Sequence, residues 1–144
     1  MAKKIGLDFE KSVERELTKR KVVKMKIGGD EYEVRIKYRM NDEDRENILS
    51  LFMEMMAAEV EETVAISLAV LHVASDIEFP EDMEGKMKIF VGLYNAGELE
   101  NLLNSVPQSI FTDVEYLIQG LSKNMEAIIG QKFIENMETT EQGK

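Results

Sequence analysis

The chain has 144 residues, of which 44% are hydrophobic, enough for a folded protein rather than a disordered one. Its 18 basic and 28 acidic residues give a formal charge of −10, which argues against nonspecific attraction to nucleic-acid phosphates or anionic lipid. There is no cysteine, so disulfides, thiolate metal sites and thiol nucleophiles are excluded.

The length suits one domain over residues 1–144 with a single core. Residues 1–20 mix charges with sparse apolar positions. Leu7 or Phe9, then Val13 and Leu17, fall at helical spacing, and Asp8 is placed to cap such a helix; so few anchors predict a weakly docked segment. No apolar run of the secretory type follows Met1 and no segment reaches transmembrane length, so a cytoplasmic protein is expected.

Over residues 21–38 the period changes to two, and a β-hairpin is predicted. Val23, Met25 and Ile27 alternate with lysines, and Tyr32, Val34, Ile36 and Tyr38 alternate with Glu33, Arg35 and Lys37. A turn at Gly29-Asp30 pairs Ile27 with Tyr32, Met25 with Val34 and Val23 with Ile36, and it sets Lys26 across from Glu33. A turn at Gly28-Gly29 places Ile27 opposite Asp30, a poorer match, so the first register is expected. Lys19-Arg20-Lys21 with Lys24 and Lys26 make this part of the chain basic and read as solvated positions on a strand and its approach.

The helical region is expected over residues 42–137. Asn41 is an N-cap candidate, with Asp42, Glu43 and Asp44 in the first turn against the positive end of the helix dipole. Ile48, Leu51 or Phe52, Met55 and Met56 follow at helical spacing. The most apolar stretch of the chain, Val60 to Val73, comes next and reads as a helix buried on most of its circumference. No Gly or Pro interrupts residues 42–78, so one long helix, bent or straight, is favoured over two.

Pro80 ends that helix and suits the first turn of another. Met83, Met87, Phe90, Val91 and Tyr94 form a helical stripe, while the alternation of Met87, Ile89, Val91 and Leu93 is a competing strand pattern. After a break at Asn95-Ala96-Gly97, residues 98–103 form a short helix. A last long helix carries Ile110, Val114, Leu117, Leu121, Met125, Ile128 and Ile129, continued by Phe133 and Met137, before a polar tail at 138–144. The fold class is therefore mainly α (α+β), an N-terminal β-hairpin followed by a bundle of about four helices around a buried central helix.

No constellation carries catalytic chemistry, and no enzyme is expected. His72, the only histidine, sits in the most apolar stretch and reads as a hydrogen-bonded core residue, and no serine has a nucleophile-elbow context. The acidic run Asp76, Glu78, Glu81, Asp82 and Glu84 lacks the ligand spacing and central glycine of a calcium loop, so neither a metal nor a cofactor is expected. The chain has 10 methionines, with Met53, Met55 and Met56 clustered. Thioethers fill irregular cores, and they also suit grooves that accept an apolar partner helix. Met53, Met55, Met56 and the hairpin residues Tyr32, Val34 and Ile36 are the candidate partner contacts. An open hairpin edge and an apolar excess make a homo-oligomer a further expectation.

In layout the chain resembles the tail assembly chaperones of long-tailed bacteriophages: a hairpin of the form Lys24-Met-Lys-Ile-Gly-Gly-Asp-Glu-Tyr-Glu-Val-Arg-Ile36, then Asn41-Asp-Glu-Asp44, then helices alone. The resemblance covers most of the chain and rests on arrangement and size rather than on a diagnostic motif. It implies a nonenzymatic protein that binds the tape measure protein, keeps its long hydrophobic helices soluble and helps recruit tail tube subunits. It also implies a C-terminally extended form made by ribosomal frameshifting. The alternative is an acidic inhibitor that mimics nucleic acid and occupies a basic groove on another protein, motivated by the charge of −10.

Overall fold

The period-2 segment forms a two-stranded antiparallel hairpin, β1 (Arg20–Ile27) and β2 (Asp30–Lys37), in the register that the sequence argued against. Ile27 stands opposite Asp30, Met25 opposite Tyr32 and Val23 opposite Val34. Backbone torsions explain the choice. A tight two-residue hairpin turn needs positive φ at both central positions, and Gly28 (φ 59) and Gly29 (φ 87) adopt it without the steric penalty that Asp30 would incur. The two registers differ by two residues, so both put the same side chains on the inner face. The computed structural model describes residue 2, residues 4–121 and residue 123. The expected stripe positions Met125, Ile128, Ile129, Phe133 and Met137 and the tail 138–144 lie outside these residues.

Ahead of the hairpin lies α1 (Phe9–Thr18), which buries no residue. Asp8 occupies its N-cap position but makes no capping hydrogen bond, so that expected cap is absent. After the hairpin, Asn41 caps α2 (Asp42–Ala57) as expected: its side chain accepts from the Asp44 N–H at 2.8 Å, and the Asp44 carboxylate accepts the Asn41 N–H at 3.1 Å. Asp44 is buried, and Lys37 at the end of β2 reaches it at 2.6 Å, so this cap also fastens the hairpin to the helices.

The single long helix over 42–78 is not formed. Helix α2 ends at Ala57, and α3 (Glu62–Ala74) starts after a break. Glu59 is the one described non-glycine residue with positive φ, at 62°. The Val60 N–H donates to the Met55 carbonyl at 3.0 Å and the Glu59 N–H to Met56 at 3.1 Å, the paired bonds of a Schellman terminator with glutamate where glycine is usual. Glu61 then starts α3, its carboxylate accepting the N–H groups of Thr63 and Val64 at 3.0 and 3.1 Å. These two donors hold the Glu61 carboxyl below its ordinary value. The break lets α3 pack back on α2, burying Ala65, Leu68, Ala69, Val70, Leu71 and Ala74.

Helices α4 (Met83–Asn95) and α5 (Leu99–Ser105) follow, then α6 over 108–121, so the strand reading of 86–94 does not hold. Pro80 precedes α4 rather than opening it. Asp82 is the N-cap, accepting the Gly85 N–H at 2.8 Å, and Gly85 lies so near Pro80 that a Cβ would come within 2.7 Å of its ring. The inward face of α4 is rotated from the expected stripe: Phe90 and Lys86 are buried, while Val91 and Tyr94 are exposed. The Lys86 ammonium is accommodated by the carbonyls of Pro80, at 2.7 Å, and Glu81.

The core joins Val23, Met25, Val34 and Ile36 of the hairpin to Ile48, Phe52 and Met55 of α2, to α3, and to Leu102, Ile110, Val114 and Ile118 of the last two helices. A free two-stranded hairpin is marginal in water, and burial of these four hairpin side chains, at roughly 1.5–3 kcal/mol each, fixes it here. The fold is thus mainly α with an N-terminal hairpin around a buried α3. Its region 42–121 holds five described helices because the expected long one is divided.

Candidate functional site

The six residues singled out as partner contacts divide evenly. Val34, Ile36 and Met55 are core residues, with Ile36 at 0% and Met55 at 1% exposure, so Ile36 and Met55 are withdrawn as contacts. Tyr32, Met53 and Met56 are 49%, 49% and 42% exposed. Helical periodicity separates the methionines, since Met55 lies on the inner face of α2 and its neighbours do not. Met53 and Met56 line none of the described concavities, whereas Tyr32 and Val34 share one.

That concavity is a groove of about 450 Å³ between the turn end of the hairpin and α4. The hairpin contributes Met25, Ile27, Tyr32 and Val34 from one face, as the alternation requires. Ile77 comes from the extended segment after α3, and Ile89 and Leu93, one helical turn apart, come from α4. Glu33, Asp76 and Glu78 also border it, and the carboxylates come from Asp76 and Glu78, since Glu33 stands on the opposite face of β2 from Tyr32 and Val34. Ile27, Ile77, Ile89 and Leu93 are all half-buried, so the groove is an apolar trough with an acidic rim, open to solvent.

Its wall is set by a short strand-like pairing. Ile36 and Ser75 form an antiparallel bridge, the Asp76 N–H donates to the Arg35 carbonyl at 3.1 Å, and the Arg35 N–H donates to the Asp76 carboxylate at 2.8 Å. Segment 75–77 therefore covers part of the outer edge of β2 and brings Ile77 beside Val34 and Met25. Sequence reading missed Met25, Ile27, Ile77, Ile89 and Leu93 as groove residues. The signal available was the second apolar pair on α4, Ile89 and Leu93, which read instead as strand alternation.

The basic positions Lys24 and Lys26 lie opposite Glu33 and Glu31 on the outer face of the hairpin, so their charge is locally balanced. His72 is half-buried at the core's edge, stacked on Phe79 with ring centroids 5.2 Å apart. Burial first, and then the nearby Lys86 ammonium, lower its pKa from the ordinary 6.5. Among the described residues no three His, Asp or Glu side chains converge as a metal site. No described helix is long and apolar enough to cross a membrane. What the arrangement offers chemically is apolar contact flanked by negative charge.

Comparison with protein-family models, curated proteins and solved structures finds no match to the chain.

Proposed function

We propose that the chain is a nonenzymatic binding protein of the tail assembly chaperone kind, acting in the cytoplasm and receiving an apolar segment of a tape measure protein in the groove between the hairpin and α4. One observation carries this reading: the open apolar trough of Met25, Ile27, Tyr32, Ile77, Ile89 and Leu93, with Asp76 and Glu78 at its rim. A trough of aliphatic, thioether and aromatic side chains suits the apolar face of a helix, and the surrounding negative charge keeps a complex with a hydrophobic client in solution. Help in recruiting tail tube subunits, and a frameshifted longer form, belong to the same proposal.

The test begins with the genes beside this one: a long coiled-coil-rich protein is expected among them, its absence would count against the proposal, and the two chains are then co-expressed. The client is expected to stay soluble and co-purify with the wild-type chain, in low and high salt alike, and to precipitate with a Leu93→Glu variant that remains folded. A client that is no more soluble with the chain than without it would overturn the proposal. Capture of a basic protein that is lost steeply as salt is raised would favour the acidic inhibitor instead.

A further inference from the structure

The two edges of the hairpin differ in what they leave unpaired. In an antiparallel pair closed by a two-residue turn, every second residue bonds across the ladder, beginning with the pair that flanks the turn. Ile27 and Asp30 flank it, so Ile27, Met25 and Val23 bond to β2, while the N–H and C=O groups of Lys26, Lys24 and Val22 point away from it. The opposite edge has the same phase: Arg35, which stands across from Val22, directs its N–H and C=O outward, and Asp76 engages both. On β1 the corresponding groups have no such neighbour. Strand β2 is its one partner in the sheet, and among the described residues no other backbone group bonds to the N–H or C=O of Val22, Lys24 or Lys26. All three residues are exposed, Val22 at 47%.

We propose that the open edge of β1 receives an extended acidic strand of another protein, which lengthens the hairpin into a three-stranded sheet. Outward N–H and C=O groups alternating along an edge are matched by a peptide backbone, which donates and accepts in turn. A phosphate backbone only accepts, and the formal charge of −10 disfavours nucleic acid further. The docking edge is independent of the hairpin–α4 groove, to which the hairpin gives its other face.

Side chains set the character of the incoming strand. Arg20, Val22, Lys24 and Lys26 share the outer face of β1, since Val23 and Met25 are buried on the other. Glu33 and Glu31 face Lys24 and Lys26 from the β2 side alone, and neither lysine makes an ion pair. A strand with carboxylates at alternate positions supplies opposite charge on the open side, with an apolar contact for Val22. A second copy does not fit. Antiparallel pairing of β1 with itself sets Arg20 against Lys24 when Val22 meets Val22, and Arg20 against Lys26 when Val22 meets Lys24. The outer edge of β2 is closed at Arg35 by Asp76. Lysines on an edge strand bar indiscriminate pairing, and the same lysines admit a strand of opposite charge.

The experiment is amide hydrogen exchange of the full chain with and without a short capped peptide that alternates glutamate with valine. The peptide is expected to slow exchange at Val22, Lys24 and Lys26 and to leave Val23 and Met25, already bonded to β2, unchanged. A peptide alternating lysine with valine should bind at least roughly 10-fold more weakly, and the double variant Lys24→Glu, Lys26→Glu should reverse the preference. Lys24→Pro removes an outward N–H and no ladder bond, so it should weaken binding of the glutamate peptide by roughly 10-fold while Val23 and Met25 stay protected. Circular dichroism checks that each variant is folded. Unchanged exchange at the three amides, equal binding of the two peptides, or a preference that survives the charge reversal would each overturn the proposal. So would tighter binding of a single-stranded oligonucleotide at the same amides, or a wild type whose β1 edge is already protected by self-association.

Discussion

Helices α1 and α3 make opposite use of their apolar residues. Helix α1, with 10 residues, keeps its apolar side chains on one stripe and buries none of them. Helix α3, with 13 residues, is apolar on nearly every side and buries six, including the consecutive run Leu68-Ala69-Val70-Leu71. An amphipathic stripe shows only that a helix has one face to cover, and what covers it is decided elsewhere. A helix with no polar face has to be surrounded by its own chain, and α3 is enclosed by the hairpin, α2 and the C-terminal helices. The first kind of helix is available for partners, while the second organises the fold.

The sharpest way to break this comparison is to truncate one side chain in each helix. Leu68→Ala removes a fully buried side chain from α3 and should cost about 2–5 kcal/mol in urea unfolding, whereas Val13→Ala in α1, in dilute protein, should change stability by less than about 0.5 kcal/mol. Equal losses would mean that α1 is packed after all. The same contrast holds at the helix starts. Asn41→Ala removes a cap that accepts a backbone N–H at 2.8 Å, and should cost about 1 kcal/mol. Asp8→Ala, at an N-cap position without a capping bond, should cost less than about 0.5 kcal/mol in the same assay.

The fold class was legible because it rests on local periodicity: the alternation around Val23, Met25, Val34 and Ile36, the cap at Asn41 and the apolar stretch Val60–Val73 each carry their own signal. Three features were not, for separate reasons. The hairpin register slipped by two because a two-residue shift preserves the inner face, leaving turn torsions as the arbiter, and Gly28-Gly29 outweighs a matched Ile27–Tyr32 pair. The break between α2 and α3 was hidden because its left-handed residue is Glu59 and not glycine or asparagine. The rotation of α4 was hidden because a lysine, Lys86, is on the inside, where its ammonium finds backbone carbonyls that no pattern reveals. The groove compounds these difficulties. It joins Met25 and Val34 to Ile77 and to Ile89 and Leu93, segments brought together only by tertiary packing, so half of the residues chosen from sequence turned out to be core.

The concealed break gives a prediction of opposite sign. Glu59 holds a conformation that costs a non-glycine residue about 1–2 kcal/mol, while glycine there loses about 0.5–1 kcal/mol of chain entropy on folding. Glu59→Gly should therefore stabilise the protein by up to about 1 kcal/mol, raising the urea midpoint and leaving the slope of the transition unchanged. If the variant were destabilised, the turn between α2 and α3 would have to be right-handed, and the packing that encloses α3 would need another explanation.

The smallest effect concerns the one ionisable side chain on the enclosed helix beyond its first turn. His72 is stacked on Phe79, faces Lys86 from α4 and is influenced by Glu54 from α2. Burial and Lys86 lower its pKa in the folded state, so the unfolded chain takes up a proton first as pH falls. Above 6.5 both states carry a neutral ring and stability is complete; it declines as pH drops from 6.5 through the lower folded value, and then levels off. The slope should be shallow because the ring is only half-buried and solvent screens it. Urea midpoints measured between about pH 7 and about pH 5.5 should fall for the wild type and stay nearly flat for His72→Gln, the change in slope being the readout because the variant also loses the Phe79 stack. An identical slope in both proteins would place His72 in water, and with it the end of α3 that the rest of the core is expected to enclose.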